Sequence, residues 1–362
     1  AFEMMLTASY ILITLGGRLD QVQTGMTYVV INLVASTFFV VLLGLLYAAL
    51  GTVNMSDLAE RMHTLPSGVR VAFALLMFVV FGIKAAVFPL FFWLPDSYPA
   101  APTAVTAVFA GLLTKVGIYC LIRTQTLIVG VDDRISTFIL VIAGLTMLIG
   151  VLGAIAQNDI KRILSFHIVS QIGYMVLGLG LFTVAGIGAA IFYAVNQIVL
   201  KSTLLLVGGL VDHGAGSSGL TKVGGIARRY PLLGWLFIIP ALSLAGVPPF
   251  AGFVAKLAVI QAGFDAGQGL IVGVSLAVSV LTLFSMSKIW NGAFWGEVEL
   301  VVQPSDPVSQ RYGGTFPMLA STAVLVGVSI ALAVVAGPLY ALCERASADL
   351  LHPSAYVKAV LG

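Results

Sequence analysis

The chain has 362 residues, of which 59% are hydrophobic and 9% charged, and its mean hydropathy is +1.07. A soluble domain carries about 25% charged residues, so this composition excludes one and indicates an integral membrane protein. The net charge of +3 is scattered over short loops and offers no patch for nucleic acid.

Apolar stretches long enough to cross a hydrocarbon core of about 30 Å recur along the whole chain. In order they run up to residue 17, then over 26–53, 69–94, 102–129, 135–157, 162–183, 185–211, 231–263, 269–296 and 315–340. These make about ten spans. Strand-like alternation is absent, so the spans are helices and the fold class is all-α. The chain opens on Ala1 inside an apolar helix, with no charged leader or cleavage site, and reads as an internal portion of a longer polypeptide with earlier spans missing. The longest loops, 54–68, 212–230 and 297–314, are rich in Gly, Pro and Ser and hold no soluble domain. Cys120 and Cys343 lie far apart in apolar settings and read as packing residues rather than a redox pair or metal site. Arg18, Lys161, Arg162, Lys222, Arg228, Arg229, Lys288 and Arg311 fall on one side, which the positive-inside rule makes cytoplasmic. Arg61, Arg70, Arg123, Arg134, Arg345 and Lys358 fall on the other.

Ionisable residues inside the spans carry the functional information: Glu3, Lys84, Lys115, His167, Lys201 and Lys256. An ionised lysine at a helix centre costs about 2.5–3.5 kcal/mol on insertion scales, so these groups face the bundle interior. Snorkelling to the headgroups is the competing account. It suits Lys288 near the end of its span and stays open for Lys201, but Lys84, Lys115 and Lys256 have long apolar runs on both sides. A buried amine holds its proton less tightly, and a nearby carboxylate restores the grip, so a lysine with a movable partner is a switchable proton carrier. Glu3, in AFEMMLTASY, is the natural partner; the alternative is a helix-end carboxylate at the headgroups.

Polar residues between the lysines fall at helical spacing. His167, Ser170, Gln171 and Tyr174 share one face, Tyr193, Asn196, Gln197 and Lys201 lie close to another, and Ser275, Ser279 and Thr282 form a third stripe. Such stripes are either interhelical hydrogen bonds alone or, taken with the lysines, the lining of a hydrated path. His167 is either a structural group or a relay, since its near-neutral titration suits relay work.

Pro89 and Pro95 follow Lys84, and Pro248 and Pro249 precede Lys256, so each of these spans is expected to break or kink beside its lysine. Carbonyls freed inside a membrane survive only where protein or a water-lined cavity satisfies them. Two interrupted spans in two halves of a chain are a pattern of transporters built from repeated bundles.

The stretches FGIKAAVFPLFFWLPDSYPAAPTAVTAVFAGLLTKVGIYCLIR (81–123), NDIKRILSFHIVSQIGYM (158–175) and SLAGVPPFAGFVAKL (243–257) resemble, in that order, the proton-translocating antiporter-like family shared by respiratory complex I and Mrp-type cation/proton antiporters. The resemblance implies a fold of about fourteen membrane helices with two inverted five-helix repeats and two broken helices, the first four or so being absent here. On that scheme residues 1–130 complete the first repeat, 131–296 form the second, and 297–362 are a C-terminal helix and tail. It also implies an ion pair of Glu3 with Lys84 in one half-channel, Lys115 as the central relay, Lys201 on the eleventh helix, Lys256 ending the second path and His167 at a connecting position. The sequence departs from the family near Lys201, where many relatives have a histidine and this chain has Asn196 and Gln197. Neither amide accepts a full proton near neutral pH.

The implied activity is that of a proton-translocating subunit of a multisubunit Na⁺/H⁺ antiporter in a prokaryotic plasma membrane, a transporter rather than an enzyme, with no cofactor. Homologous antiporter-like chains and other antiporter subunits would be its partners, and Na⁺ and H⁺ the transported ions. No cluster of oxygen ligands reads as a Na⁺ site, so sodium is expected to pass through a partner. The alternatives are a proton-pumping subunit of complex I or a membrane-bound hydrogenase, and a scaffold that has lost transport.

Overall fold

The computed structural model describes residues 2–15, 17, 19–297 and 316–361, without the side chains of Phe2, Glu3 and Asp20. Among them the chain is helical, with no strand beyond an isolated bridge between Asp159 and Gly219. The helices are α1 (Phe2–Thr14), α2 (Leu19–Leu50), the short α3 (Met55–Arg61), α4 (Ser67–Ala85), α5 (Trp93–Ala100), α6 (Thr103–Val129), α7 (Asp133–Ala156), α8 (Ile160–Gly180), α9 (Val184–Ala215), α10 (Pro231–Ala245), α11 (Ala251–Asp265), α12 (Gly269–Trp295), α13 (Phe316–Val334), α14 (Ala336–Leu351) and α15 (Ser354–Leu361). Among the described residues eight helices are long and apolar enough to span a membrane, and the shorter apolar segments Met4–Thr14 and Pro231–Ala245 join them.

Side-chain caps set several starts. Asp132, Asp159 and Thr183 precede α7, α8 and α9 and accept from the backbone N–H of Arg134, Arg162 and Gly186. Burial then sorts the helices. In α8, 94% of the spanning window is buried, against 22% in α2 and 17% in α13, so α8 is the axis and the latter two face outward. Their outer ridges, such as Met26, Val30 and Leu33 or Val324 and Val328, are exposed apolar surface suited to lipid.

Two expected spans, 69–94 and 231–263, are each two helices. The first stops at Ala85 and resumes at Trp93; the second stops at Ala245 and resumes at Ala251. Pro89, Pro248 and Pro249 lie in the gaps, whereas Pro95 sits in the first turn of α5, where a missing N–H costs little. The two charge sets gather at opposite ends of the bundle. At one, Lys161 pairs with Asp212 and Arg162 with Asp96; at the other, the Arg123 guanidinium stands 4.4 Å from the centre of the Tyr356 ring. Arg18, Arg311 and most of the 297–314 loop lie outside the described residues.

The C-terminal tail packs on the bundle. Ser347 Oγ donates to the Val184 carbonyl at 2.8 Å, and Tyr340 meets Phe192 edge-on at 5.9 Å. Cys120 and Cys343 are both free thiols.

Candidate proton path

Each break begins with a left-handed residue, Ala86 (φ 60°) and Gly246 (φ 86°). Beside the first, Lys84 is buried and turns its ammonium across to α2, donating to the Asn32 carbonyl and Oδ1, both at 3.2 Å, and to Ser36 Oγ at 3.4 Å. The implied partner Glu3 lies on α1, and its side chain is outside what the structure describes.

α6 crosses directly behind this break. A Cβ at Gly117 would stand 2.5 Å from the Ala85 nitrogen and 2.9 Å from the Lys84 carbonyl carbon, so only glycine permits the approach. Two residues earlier lies Lys115. The turn before it, Phe109–Leu113, is π-helical, which disturbs the regular i to i−4 ladder, and the Lys115 ammonium donates to the Ala110 carbonyl at 2.5 Å.

α6 in turn meets α9 closely, with Ser202 Oγ donating to the Ala107 carbonyl at 2.8 Å. The neighbouring Lys201 is fully buried, which removes snorkelling as an account of it, and its ammonium has no hydrogen-bond partner among the described residues. It lies within electrostatic reach of Lys115 and of Lys256. On α8, His167 feels both Lys201 and Lys256, and its Nε2 bonds Ser285 Oγ at 2.9 Å while Nδ1 is unpartnered.

Lys256 closes the series. Its ammonium donates to the Ala245 carbonyl at the end of α10, at 3.0 Å, and stands 5.2 Å from the centre of the Tyr174 ring. Tyr174 stacks on Tyr193 at 5.3 Å and donates to the Ser275 carbonyl at 2.6 Å, with Ser279 Oγ at 2.8 Å. Tyr193 donates to Gln171 Oε1, and Ser170 Oγ donates to the Met147 carbonyl at 3.1 Å. Thr282 spends its hydroxyl on its own helix, on the Val278 carbonyl.

The structure thus strings Lys84, Lys115, Lys201, His167 and Lys256 between the two breaks. Around Lys201 and His167 other buried polar atoms also lack a protein partner: Gln171 Nε2, both side-chain polar atoms of Asn196, and Gln197 Oε1. Buried donors and acceptors of this kind are ordinarily met by ordered water. No group of three or more His, Cys, Asp or Glu with metal-binding geometry occurs among the described residues.

Two clefts open in the bundle, one of which reaches the string at Lys115. One, of about 930 Å³, is walled by Asp96, Lys161, Arg162 and Asp212. The other, of about 680 Å³, reaches from Arg123, Asp349 and His352 to Lys115. Asn32 and Ser36 bond Lys84, Trp93 bonds the first break and Ser285 bonds His167, none of them singled out in the sequence. Asn32 alone carried a usable signal, as a carboxamide inside a long apolar helix. Lys288 behaves differently from expectation. Rather than snorkelling, it donates to the Ile155 and Gln157 carbonyls at 2.9 and 2.7 Å and so satisfies the end of α7.

The sequence profile of the family described as NADH:quinone oxidoreductase/Mrp antiporter, transmembrane, matches residues 1–282. The chain belongs to this family. It is 45% identical to the D-type subunit of the Na⁺/H⁺ antiporter of Alkalihalophilus pseudofirmus and 36% identical to that of Bacillus subtilis, in each case over 99% of this chain and 72% of the relative. Among solved structures it matches a chain of the Mrp complex from a Dietzia species with a TM-score of 0.90 and 35% identity, over 100% of this chain and 75% of that one. The all-helical architecture and the multi-pass membrane placement follow from the spans and this membership together.

Proposed function

We propose that this chain is the D-type subunit of a multisubunit Na⁺/H⁺ antiporter in a prokaryotic plasma membrane and that it carries protons along Lys84, Lys115, Lys201, His167 and Lys256. The observation that carries the reading is the set of buried basic groups on the helices between two helix breaks, bordered by unpartnered polar atoms that water would satisfy. Protons hop between amines and imidazole through that water. Glu3 is assigned to the Lys84 end of the path. Asn196 and Gln197 orient water beside Lys201 and do not bind the proton themselves. Sodium is assigned to a partner chain; in support, the described residues hold no group of three or more His, Cys, Asp or Glu with metal-binding geometry.

Magnitudes fit such gating. A charge crossing 100 mV gains about 2.3 kcal/mol, and one pKa unit is worth about 1.4 kcal/mol. Exchanging one hydrogen-bond partner of a buried amine is therefore enough to bias transfer.

The test is the pH change in proteoliposomes holding the intact complex, driven by a Na⁺ gradient with no redox donor, with Lys84→Ala in parallel. Na⁺-driven proton movement that the substitution abolishes is the expected result. Movement that starts only with an electron donor assigns the chain to a redox pump. Na⁺-driven movement that survives in Lys84→Ala places the protons in another subunit.

A further inference from the structure

The two breaks repeat one backbone, residue for residue. Val87 N–H donates to the Gly82 carbonyl at 3.1 Å, and Val247 N–H to the Leu242 carbonyl at 3.0 Å. Ala86 and Gly246 donate to Ile83 and Ser243 at 3.2 and 3.1 Å, and Leu90 and Phe250 close the following turn on Val87 and Val247 at 2.7 and 3.3 Å. What differs is the side chain that returns from the far half-helix to the carbonyls at the end of the near one. At the second break it is Lys256, on the Ala245 carbonyl at 3.0 Å. At the first it is Trp93, whose Nε1–H donates to the Ile83 carbonyl at 3.0 Å.

We propose that Trp93 is a positioning residue for Lys84. Indole N–H is a donor only and does not titrate, so the first break keeps its tie whatever the charge on its lysine. Lys84 is thereby released from serving its own break and reaches α2 instead. Trp93 also fixes the other end of that contact. It is buried, its ring lies 5.4 Å from Tyr28 and 5.9 Å from Tyr98, and Tyr28 is one turn before Asn32 on α2. Asn32 Nδ2 donates to the Tyr28 carbonyl at 2.8 Å, so the acceptor of Lys84 is held by the residue on which Trp93 leans. One indole therefore sets both the carbonyl next to Lys84 in sequence and the residue one turn from its acceptor.

The inference rests on Lys84 belonging to the proton path, and the experiment separates the two claims. In the intact reconstituted complex, Trp93 is replaced by β-(3-benzothienyl)alanine, which keeps the bicyclic shape but has sulfur in place of N–H, and separately by 5-fluorotryptophan, which keeps the N–H. Lys84→Ala is run beside them. Loss of one hydrogen bond that orients the amine predicts a fall of roughly three- to tenfold in Na⁺-driven proton movement for the sulfur analogue. The fluoro analogue is expected to match the parent, and both complexes to retain the parent subunit composition. If the two analogues behave alike, Trp93 only packs and the inference is overturned while the Lys84 reading stands. If Lys84→Ala itself leaves exchange intact, the path reading fails and the inference falls with it.

Discussion

The Lys256 ammonium stands 5.2 Å from the centre of the Tyr174 ring while it donates to the Ala245 carbonyl at the end of α10. The ring face attracts the cation, and the ring is held in place by its own hydroxyl on the Ser275 carbonyl. The two contributions are separable. Tyr174→Phe removes the hydroxyl bonds but keeps the face, and should cost about 1 kcal/mol of stability with exchange within about threefold of the parent. Tyr174→Leu removes the face as well and should lower exchange by a further factor of about ten, in line with the upper range for desolvated cation–π pairs. Equal rates in the two variants would remove the ring from the path.

Gly246 and Ala86 fill the same left-handed corner in the two breaks, and only one of them is glycine. Gly246→Ala places a Cβ at φ 86° and 2.7 Å from Lys256 Cδ, so the lysine stem must move. The expected cost is about 1–2 kcal/mol of stability, with a drop in exchange larger than that of other variants equally destabilised. Ala86→Gly relieves the corner and touches no lysine stem, so melting should rise or hold and exchange should be unchanged. Thermal melting of the purified complex beside the liposome assay checks both.

Asp132 caps α7 and accepts from the Arg134 side chain, which holds its carboxyl below the usual carboxylate range. A carboxylate favoured in this way contributes stability above the unfolded value of about 4, and the contribution fades as pH falls through the lowered folded value. Arg134 is 62% exposed, so solvent screens the pair and the effect is small. Arg134→Ala should melt slightly lower than the parent at neutral pH, and the difference should vanish as pH drops below about 4. A difference that grows on acidification would contradict this assignment.

Charge and proline made the buried lysines and the helix breaks of the proposed path legible in the sequence. An ammonium inside an apolar run has few permitted surroundings, and proline interrupts a helix wherever the chain folds, so Lys84, Lys115, Lys256 and both interruptions could be read locally. Trp93, Ser36 and Ser285 could not, because each matters only through the helix that packs opposite: Trp93 reads as one more aromatic in FFWLP until the Ile83 carbonyl is seen beneath it. Lys288 misled for the same reason. Its place near a span end suits snorkelling, and only the proximity of the α7 terminus turns it inward. The family pattern names Glu3 as a partner of Lys84, and the geometry adds Asn32 and Ser36 on α2.

Lys201 offers the sharpest separation of stability from function. Its side chain is fully buried with no partner for its ammonium among the described residues, a donor that costs about 1–3 kcal/mol when left unmet. A fold selected for stability alone would place an apolar chain of the same length there. Lys201→Met should therefore leave the melting temperature of the complex unchanged or raise it. Exchange should fall at least tenfold, because methionine carries no proton between Lys115 and His167. The position of Asn196 and Gln197 one turn earlier predicts a second result. With the lysine kept, Asn196→Leu removes two polar atoms that water would bridge, and should slow exchange less than Lys201→Met does. Liposome assays of the two variants, each checked for intact subunit composition, decide the matter: full exchange in Lys201→Met would take this lysine out of the path and leave Lys115 and His167 to be joined by water alone.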